Sequence, residues 1–264
     1  MTSPGFRSLL YREPRLYDLV FPDVDRSVGK MVLTAIDRWL PAMPRSMLDL
    51  GCGTGRLLEH LGQIIPDCCG VDLLESNIAY ARSVRRGISF QVGDMRTLRL
   101  DRTFDLVVCL GNALSYALSD DALMATVRTF VSHAHAGALL LVDPLNARTY
   151  LEGRGFERRI EGRVDTPEFQ ATSVSLHEID REARVLRRVR TWCIAGQADV
   201  EDYAEYRLLF PEEIQRFLET AGFDVLGMYD NRQLQPTDLT GTIAAEPDIG
   251  GMRGRKLYVV ATKR

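Results

Sequence analysis

The sequence predicts an α/β fold: a doubly wound, mostly parallel sheet with a small antiparallel sheet inserted into it. Three observations carry this. Short, nearly all-apolar runs recur at 46–51, 68–73, 88–92, 104–111 and 138–144, and strands lack alternation in this way when helices cover both faces of a sheet. Helix-like segments separate them, giving a regular β-α-β-α order. After Pro144 the pattern changes to segments of partial alternation, which read as antiparallel strands with one wet face.

The elements follow in order. The N-terminal stretch holds Phe6, Tyr11, Tyr17 and Phe21, too many aromatics for a tail that stays in water, and predicts a mobile lid over 6–22 that docks when the site fills. Val28, Met31, Ala35, Ile36 and Trp39 recur at helical spacing, with Asp25 or Ser27 placed as a cap and Pro41 and Pro44 as the stop. SMLDLG (46–51) is the first strand and GRLLEHLGQII the helix after it. CCGVDL (68–73), helical ESNIAYARSVRR, ISFQV (88–92) and FDLVVCLG (104–111) come next. A helix near 119–134 leads through a turn at Gly137 into ALLLVDP. Residues 145–168 read as irregular. FQATSVSLHEID, VLRRVRTWCIA and VEDYAEYRLLF then form the inserted sheet, where Trp192 reads mainly as packing. FPEEIQRFLETAGF returns to helix, with Pro211 at its start and Gly222 at its end. FDVLGMYD and KLYVVATK are the last strands, and the long loop between them, 231–254, is functional or mobile. The expected organisation is a core of residues 1–144 and 211–264 with an insert, 145–210, over the substrate.

A length of 264 residues suits one large domain, or one with a small lid. With 33 Lys+Arg against 36 Asp+Glu, the net charge is −3, which disfavours an extended nucleic-acid surface. No apolar run approaches the roughly 20 residues needed to span a bilayer, and the N-terminus has no secretory apolar region. Five cysteines without metal-ligand spacing suit a reduced, cytoplasmic protein.

The sharpest local signal is Asp49-Leu50-Gly51-Cys52-Gly53-Thr54-Gly55 at the end of the first strand. Alternate glycines let the backbone turn tightly and pass close to a ligand, and the following helix presents free N–H groups to it. Asp72 ends the second strand 23 residues on, where a carboxylate can accept from ribose hydroxyls. Asp94 ends the third strand, 22 residues further, placed to accept from an adenine amino group. Glycine loop and strand-tip acids together describe a cradle for adenosine. The spacing is G-x-G-x-G, with Arg56 where a dinucleotide fold has its third glycine. A cofactor without a pyrophosphate fits better.

LDLGCGTG, GVDL, VGDM and FDLVVCLGNALSY together resemble the strand-end motifs of class I S-adenosylmethionine-dependent methyltransferases, whose fold is Rossmann-like. Within that superfamily the chain is similar to small-molecule N-methyltransferases of natural-product pathways, including those that dimethylate amino sugars. The resemblance implies S-adenosylmethionine as cofactor, S-adenosylhomocysteine as product and no metal. It implies that Gly51 and Gly53 lie against the methionine and ribose parts, that Asp72 holds the ribose hydroxyls and that Leu73 flanks the adenine. Asp94 and the Met95 N–H would read the adenine edge, the Leu110 carbonyl would meet the methionine ammonium, and Tyr17 would touch the methionine end. Where the subgroup often has a second tyrosine four residues after Tyr17, this chain has Phe21.

In-line methyl transfer depends mainly on alignment. A neutral amine attacks without help, whereas a hydroxyl more often needs a general base. His60, His133 and His135 read as structural; His177, in the insert, is the one histidine proposed to face substrate. Asn112 and Asn146 line the expected substrate mouth, and Tyr116 and Asp143 are the base candidates. Arg181, Arg184, Arg187, Arg188 and Arg190 form either a solvated face or a phosphate site. The expected activity is N-methylation of a small natural product or amino sugar, with O-methylation, then C-methylation, as alternatives. The expected partners are a small-molecule acceptor and a second copy in a homodimer, with neither nucleic acid nor membrane.

Overall fold

The first apolar run becomes a central strand because both of its faces are covered. The computed structural model describes residues 8–22, 24, 26–153, 156–237 and 252–264. In chain order it shows α1 (Leu9–Arg12), α2 (Pro14–Val20), α3 (Ser27–Trp39), β1 (Ser46–Leu50), α4 (Arg56–Leu61), β2 (Asp67–Asp72), α5 (Glu75–Val84), β3 (Ser89–Val92), β4 (Phe104–Cys109), α6 (Asp120–His133) and β5 (Ala134–Val142). Then follow β6 (Leu145–Asn146), β7 (Arg159–Asp165), β8 (Gln170–Asp180), β9 (Val185–Ile194), β10 (Val200–Leu209), α7 (Pro211–Thr220), β11 (Phe223–Tyr229) and β12 (Tyr258–Lys263).

The main sheet has the order β11-β12-β5-β4-β1-β2-β3. β1 to β5 are mutually parallel, while β12 runs antiparallel to both β5 and β11. Successive residues of β1 enter different cores. Met47 joins Val32, Ile36, Leu58, Leu61 and Ile78, from α3, α4 and α5. Leu48 joins Val127, Phe130, Ile214 and Leu218, from α6 and α7. That two-sided burial removes alternation from the sequence and confirms the doubly wound reading.

The second sheet has the order β6-β10-β9-β8-β7, antiparallel except for the short β6–β10 pair. The expected strands at β8, β9 and β10 are present. The stretch 145–168, read as irregular, instead supplies β6, a π-helical turn at Arg148–Glu152 and β7. β7 was illegible because it is an edge strand paired only with β8, and its sequence, RIEGRVD, is largely exposed. Ser27 opens α3 rather than capping it; the preceding residue is Arg26 in a left-handed conformation. Asp25 lies outside the described residues, as do residues 6–7 of the expected lid and 238–251 of the long loop.

The described part of the N-terminal segment bridges the two sheets. At one end Asp202 of β10 accepts from the Ser8 hydroxyl at 3.1 Å, from the Leu9 N–H and from Trp192 Nε1 at 2.8 Å. Leu9, Leu10, Phe169, Ala171 and Trp192 pack around this node, so Trp192 is packing. At the other end Asp18 accepts from the Thr54 hydroxyl at 2.6 Å and from Tyr80 at 3.3 Å. It also pairs with Arg85 at 2.7 Å and Arg56 at 3.3 Å. Any opening of residues 8–22 must break these bonds. Among the described residues no helix is long and apolar enough to cross a membrane.

Asp202→Ala strands three donors beside the core and should cost about 2–4 kcal/mol of stability. Urea unfolding should show a lower midpoint, and limited proteolysis should cut before residue 20 faster than in the parent chain. Unchanged values for both would show that Asp202 does not anchor the segment.

Candidate functional site

Open α/β sheets bind ligands beyond the carboxyl ends of their strands, where the strand order reverses. Here the reversal lies at β1, between β2 and β4. A cavity of about 930 Å³ opens there, lined also by Tyr11 and Tyr17 from the N-terminal segment and by Arg188 and Tyr206 from the second sheet.

The glycine turn forms the floor. Gly51 and Cys52 donate to the Val71 carbonyl, fastening the turn to β2. Gly51 has φ +79°, and a Cβ there would lie 2.6 Å from the Ala113 side chain. Gly53 has φ +56°, and a Cβ there would meet nothing within 4 Å. A turn with that open space above it suits close approach by a ligand.

Three carboxylates border this half of the cavity. Asp72 Oδ1 accepts from the Leu74 N–H at 2.9 Å and Asn77 Nδ2 at 3.1 Å; Oδ2 accepts from the Gly53 N–H at 2.9 Å. A carboxylate has about four acceptor positions, so Oδ2 retains one for a ligand. Burial raises the Asp72 pKa, against those three hydrogen bonds. Asp94 is gripped by the Arg96 guanidinium, with Nε 2.9 Å from Oδ1, and these bonds hold its carboxyl below the usual range. Asp49 is different. It is buried on the cavity floor and accepts no hydrogen bond from any described residue. Burial, then the charges of Asp72 and Asp143, push its pKa up to about 8.

Leu73, Met95 and Leu110 line the same half, with Tyr17 beside them. Neither the Met95 N–H nor the Leu110 carbonyl has a partner among the described residues. The Arg56 guanidinium lies 5.3 Å from the Tyr17 ring centroid and donates to the Phe21 carbonyl. The arginine at the third dinucleotide-glycine position thus ties α2 to the turn.

The other half is lined by tyrosines. The Tyr11 and Tyr116 hydroxyls are 2.6 Å apart, and Tyr116 donates to Tyr206 at 3.4 Å. Burial raises the Tyr116 pKa well above its ordinary value, reinforced by the other two phenols. Burial and hydrogen bonding thus favour the phenol as a hydrogen-bonding group over the role of base expected for Tyr116. Asp143, the other expected base, is held by two partners. Its Oδ2 pairs with Lys256 Nζ at 2.8 Å and its Oδ1 accepts from the Asn112 N–H at 2.9 Å, so it is a locked acceptor that shapes the turn at Asn112. Asn112 lines the cavity, and its buried Oδ1 has no hydrogen-bond partner.

Two proposed substrate contacts lie elsewhere. Asn146 is fully buried; its amide donates to the Met252 and Gly254 carbonyls at 3.1 and 3.0 Å, and its Oδ1 accepts from the Arg148 N–H. It pins a loop. His177 does not line the cavity: it pairs across the sheet with Arg188, one strand further out, and its ring packs edge-on against Phe156. His133 accepts from the Leu100 N–H at 3.0 Å, and His135 pairs with Asp105 at 2.9 Å, both away from the cavity. Among the described residues no cluster of His, Cys, Asp or Glu could hold a metal ion.

Sequence reasoning missed Asp49 as a ligand group, and Tyr11, Tyr206, Lys256 and Arg188 as cavity lining. Asp49 sat inside the glycine motif but read as strand. Tyr11 was read only as part of a lid and Arg188 only as one of five arginines, while Tyr206 and Lys256 had no local signal, since each is brought in from a different element.

Comparison with known proteins agrees with this geometry. Residues 47–137 match a family model described as a methyltransferase domain. The dTDP-3-amino-3,4,6-trideoxy-alpha-D-glucopyranose N,N-dimethyltransferase of Streptomyces venezuelae is 35% identical over 99 residues, 38% of this chain and 42% of that protein. The dTDP-4-amino-2,3,4,6-tetradeoxy-D-glucose N,N-dimethyltransferase of Saccharopolyspora spinosa is 25% identical, over 67% of this chain and 71% of that protein. The chain spans about half the length of the first relatives it matches. Among solved structures, the sugar N-methyltransferase KedS8 from a Streptoalloteichus species superposes with a TM-score of 0.75 at 22% identity, covering 100% of this chain and 96% of that one. The α/β class and the resemblance read from the strand-end motifs both stand.

Carboxyl-carbon NMR of the aspartates should show one group titrating near pH 8, and that resonance should vanish in Asp49→Asn. A spectrum in which every aspartate titrates below pH 5 would remove the partnerless carboxylate from the cavity floor.

Proposed function

We propose that the chain transfers a methyl group from S-adenosylmethionine to the nitrogen of a small acceptor, an amino sugar of the kind named for its relatives. One observation carries the reading: a single cavity joins a glycine-and-carboxylate cradle to a chamber of hydrogen-bonded tyrosines, with no histidine among the described residues that line it.

The cradle fits the cofactor. Gly53 leaves open space where a ligand backbone or ribose would pass. The free position on Asp72 Oδ2 suits a ribose hydroxyl, beside Leu73 at the adenine. The Met95 N–H suits the adenine edge, and Asp94 beside it would accept from the adenine only by giving up one of its bonds to Arg96. The Leu110 carbonyl and the partnerless Asp49 suit the methionine ammonium, with Tyr17 alongside. A cation over Asp49 draws its proton off, so the chain prefers a positively charged ligand there. When bound, the cofactor supplies an electrophilic methyl group on a sulfonium.

The chain's own residues then have two tasks. They align the nucleophile, a contribution that reaches about 7–11 kcal/mol in well-oriented systems. They also exclude water, which strengthens fixed dipoles around the changing charge. The Tyr11, Tyr116 and Tyr206 hydroxyls offer neutral hydrogen bonds to an acceptor. Asn112 Oδ1, buried and without a partner, offers an acceptor to an amine hydrogen. A neutral amine requires no general base, and the locked Asp143 and protonated Tyr116 provide none.

Gly53→Val places a branched side chain in the open space above the turn. Calorimetry should show S-adenosylhomocysteine affinity reduced at least tenfold, beyond any loss of thermal stability; retained affinity would mean that the turn does not approach the ligand. Incubation with labelled S-adenosylmethionine and a panel of amine, hydroxyl and nucleic-acid acceptors should label amines alone, and labelling should persist in EDTA. Tyr116→Phe should lower kcat about tenfold without moving its pH profile, since no phenolate takes part. Label confined to hydroxyl acceptors would overturn the N-methyl assignment.

A further inference from the structure

Lys256 lines the cavity, and its Nζ stands 2.8 Å from Asp143 Oδ2. The pair is largely dry, with 22% of the lysine side chain and 6% of the aspartate side chain exposed. Burial works against the ammonium, but the Asp143 charge and the hydrogen bond to it outweigh burial and raise the Lys256 pKa. The backbone delivers the lysine to this place. Residue 256 forms an antiparallel bridge with Leu145. On one side of it the Arg255 carbonyl accepts from the Asn146 N–H at 3.0 Å, and on the other the Leu257 N–H donates to the Pro144 carbonyl at 2.9 Å. The chain entering β12 is therefore laid along the residues that follow β5, in a register that sets Lys256 against Asp143.

Asp143 passes this hold on. Its other oxygen accepts from the Asn112 N–H at 2.9 Å. Asn112 opens the helical turn Ala113–Tyr116 and sits at φ +66°, a left-handed conformation that a residue with a Cβ keeps only where its surroundings enforce it. Its side chain carries the buried, partnerless Oδ1, and the far end of the turn carries the Tyr116 hydroxyl that meets Tyr11 and Tyr206. One ion pair thus stands behind two groups of the acceptor half. A buried carboxylate stripped of its counter-ion is costly and moves toward water or another donor, and the Asn112 N–H would lose its fixed partner with it. We infer that Lys256 is a positioning residue for methyl transfer: acting through Asp143, it fixes where Asn112 and Tyr116 present their side chains to the acceptor. The inference rests on the acceptor reading above and adds to it a residue from the far end of the chain.

A double-mutant cycle on the whole chain tests this, with labelled S-adenosylmethionine and the amine of the acceptor panel that takes the most label. Lys256→Met keeps the stem and removes the charge. It should lower kcat at least about tenfold, as misplacement of an aligning group does, with the KM for the amine and the affinity for S-adenosylhomocysteine little changed. Lys256→Arg restores the ion pair and should recover most of the loss. Asp143→Asn keeps an oxygen for the Asn112 N–H, and adding Lys256→Met to it should lower kcat by no more than about twofold further, because the lysine acts only through the aspartate charge. Losses that multiply in the double variant would overturn the inference, and so would a parent-like kcat in Lys256→Met. Hydrogen exchange gives a readout that needs no acceptor: the Asn112 amide should exchange faster in Lys256→Met and at the parent rate in Lys256→Arg. Equal rates in all three would also overturn it. Lys256→Gln, which keeps a donor without the charge, decides the matter by the same two readouts if the methionine variant does not fold. Faster Asn112 exchange in a protein that methylates no amine would keep the positioning link and sink the proposed function; amine methylation indifferent to Lys256 would do the reverse.

Discussion

The cavity depends on two aspartates that hold residues 8–20 between the sheets. Asp202 fixes the start of the segment to the second sheet, and Asp18 fixes its end to the glycine turn and α5. Both accept several donors at once, as a buried or half-buried polar group requires. The segment therefore carries Tyr11 and Tyr17 to opposite halves of one chamber. Without it, the strand tips would face solvent.

The two halves differ in electrostatic character, and the difference follows from burial. The floor gathers Asp49, Asp72 and Asp143, and burial, followed by the charges of the other two, raises the proton affinity of Asp49, the one that lacks donors. Such a floor favours a cation. The chamber beyond it holds three phenols in a chain, Tyr116 bonding to both Tyr11 and Tyr206, together with a guanidinium that has no ion-pair partner among the described residues.

Histidines show why residue type alone is a weak guide to a site. His133 spends its two ring nitrogens on the Leu100 N–H and the Thr129 carbonyl, closing α6 against β4's entry loop. Asn146, in β6 just beyond the fifth core strand, is also drawn away from the cavity, its amide donating to the Met252 and Gly254 carbonyls. Position at a strand's carboxyl end puts a residue near the cavity; whether it points in depends on which backbone groups need a partner.

The cradle was legible in the sequence because it is built from contiguous pieces. Each strand runs out at, or within three residues of, a residue that lines the cavity, so Gly53, Asp72, Asp94 and Leu110 follow directly from where the apolar runs stop. The two-layered helical cover was legible for the same reason, since burial on both faces erases alternation over each run. The acceptor chamber was not. Tyr11, Tyr116 and Tyr206 stand 105 and 90 residues apart along the chain, and Arg188 looks like its four neighbours until their partners are known. Which arginine is left without a counter-ion, which carboxylate is locked and which phenols are dry are properties of packing. Only the tertiary structure decides them, because desolvation and pairing belong to the environment a side chain enters rather than to the side chain itself.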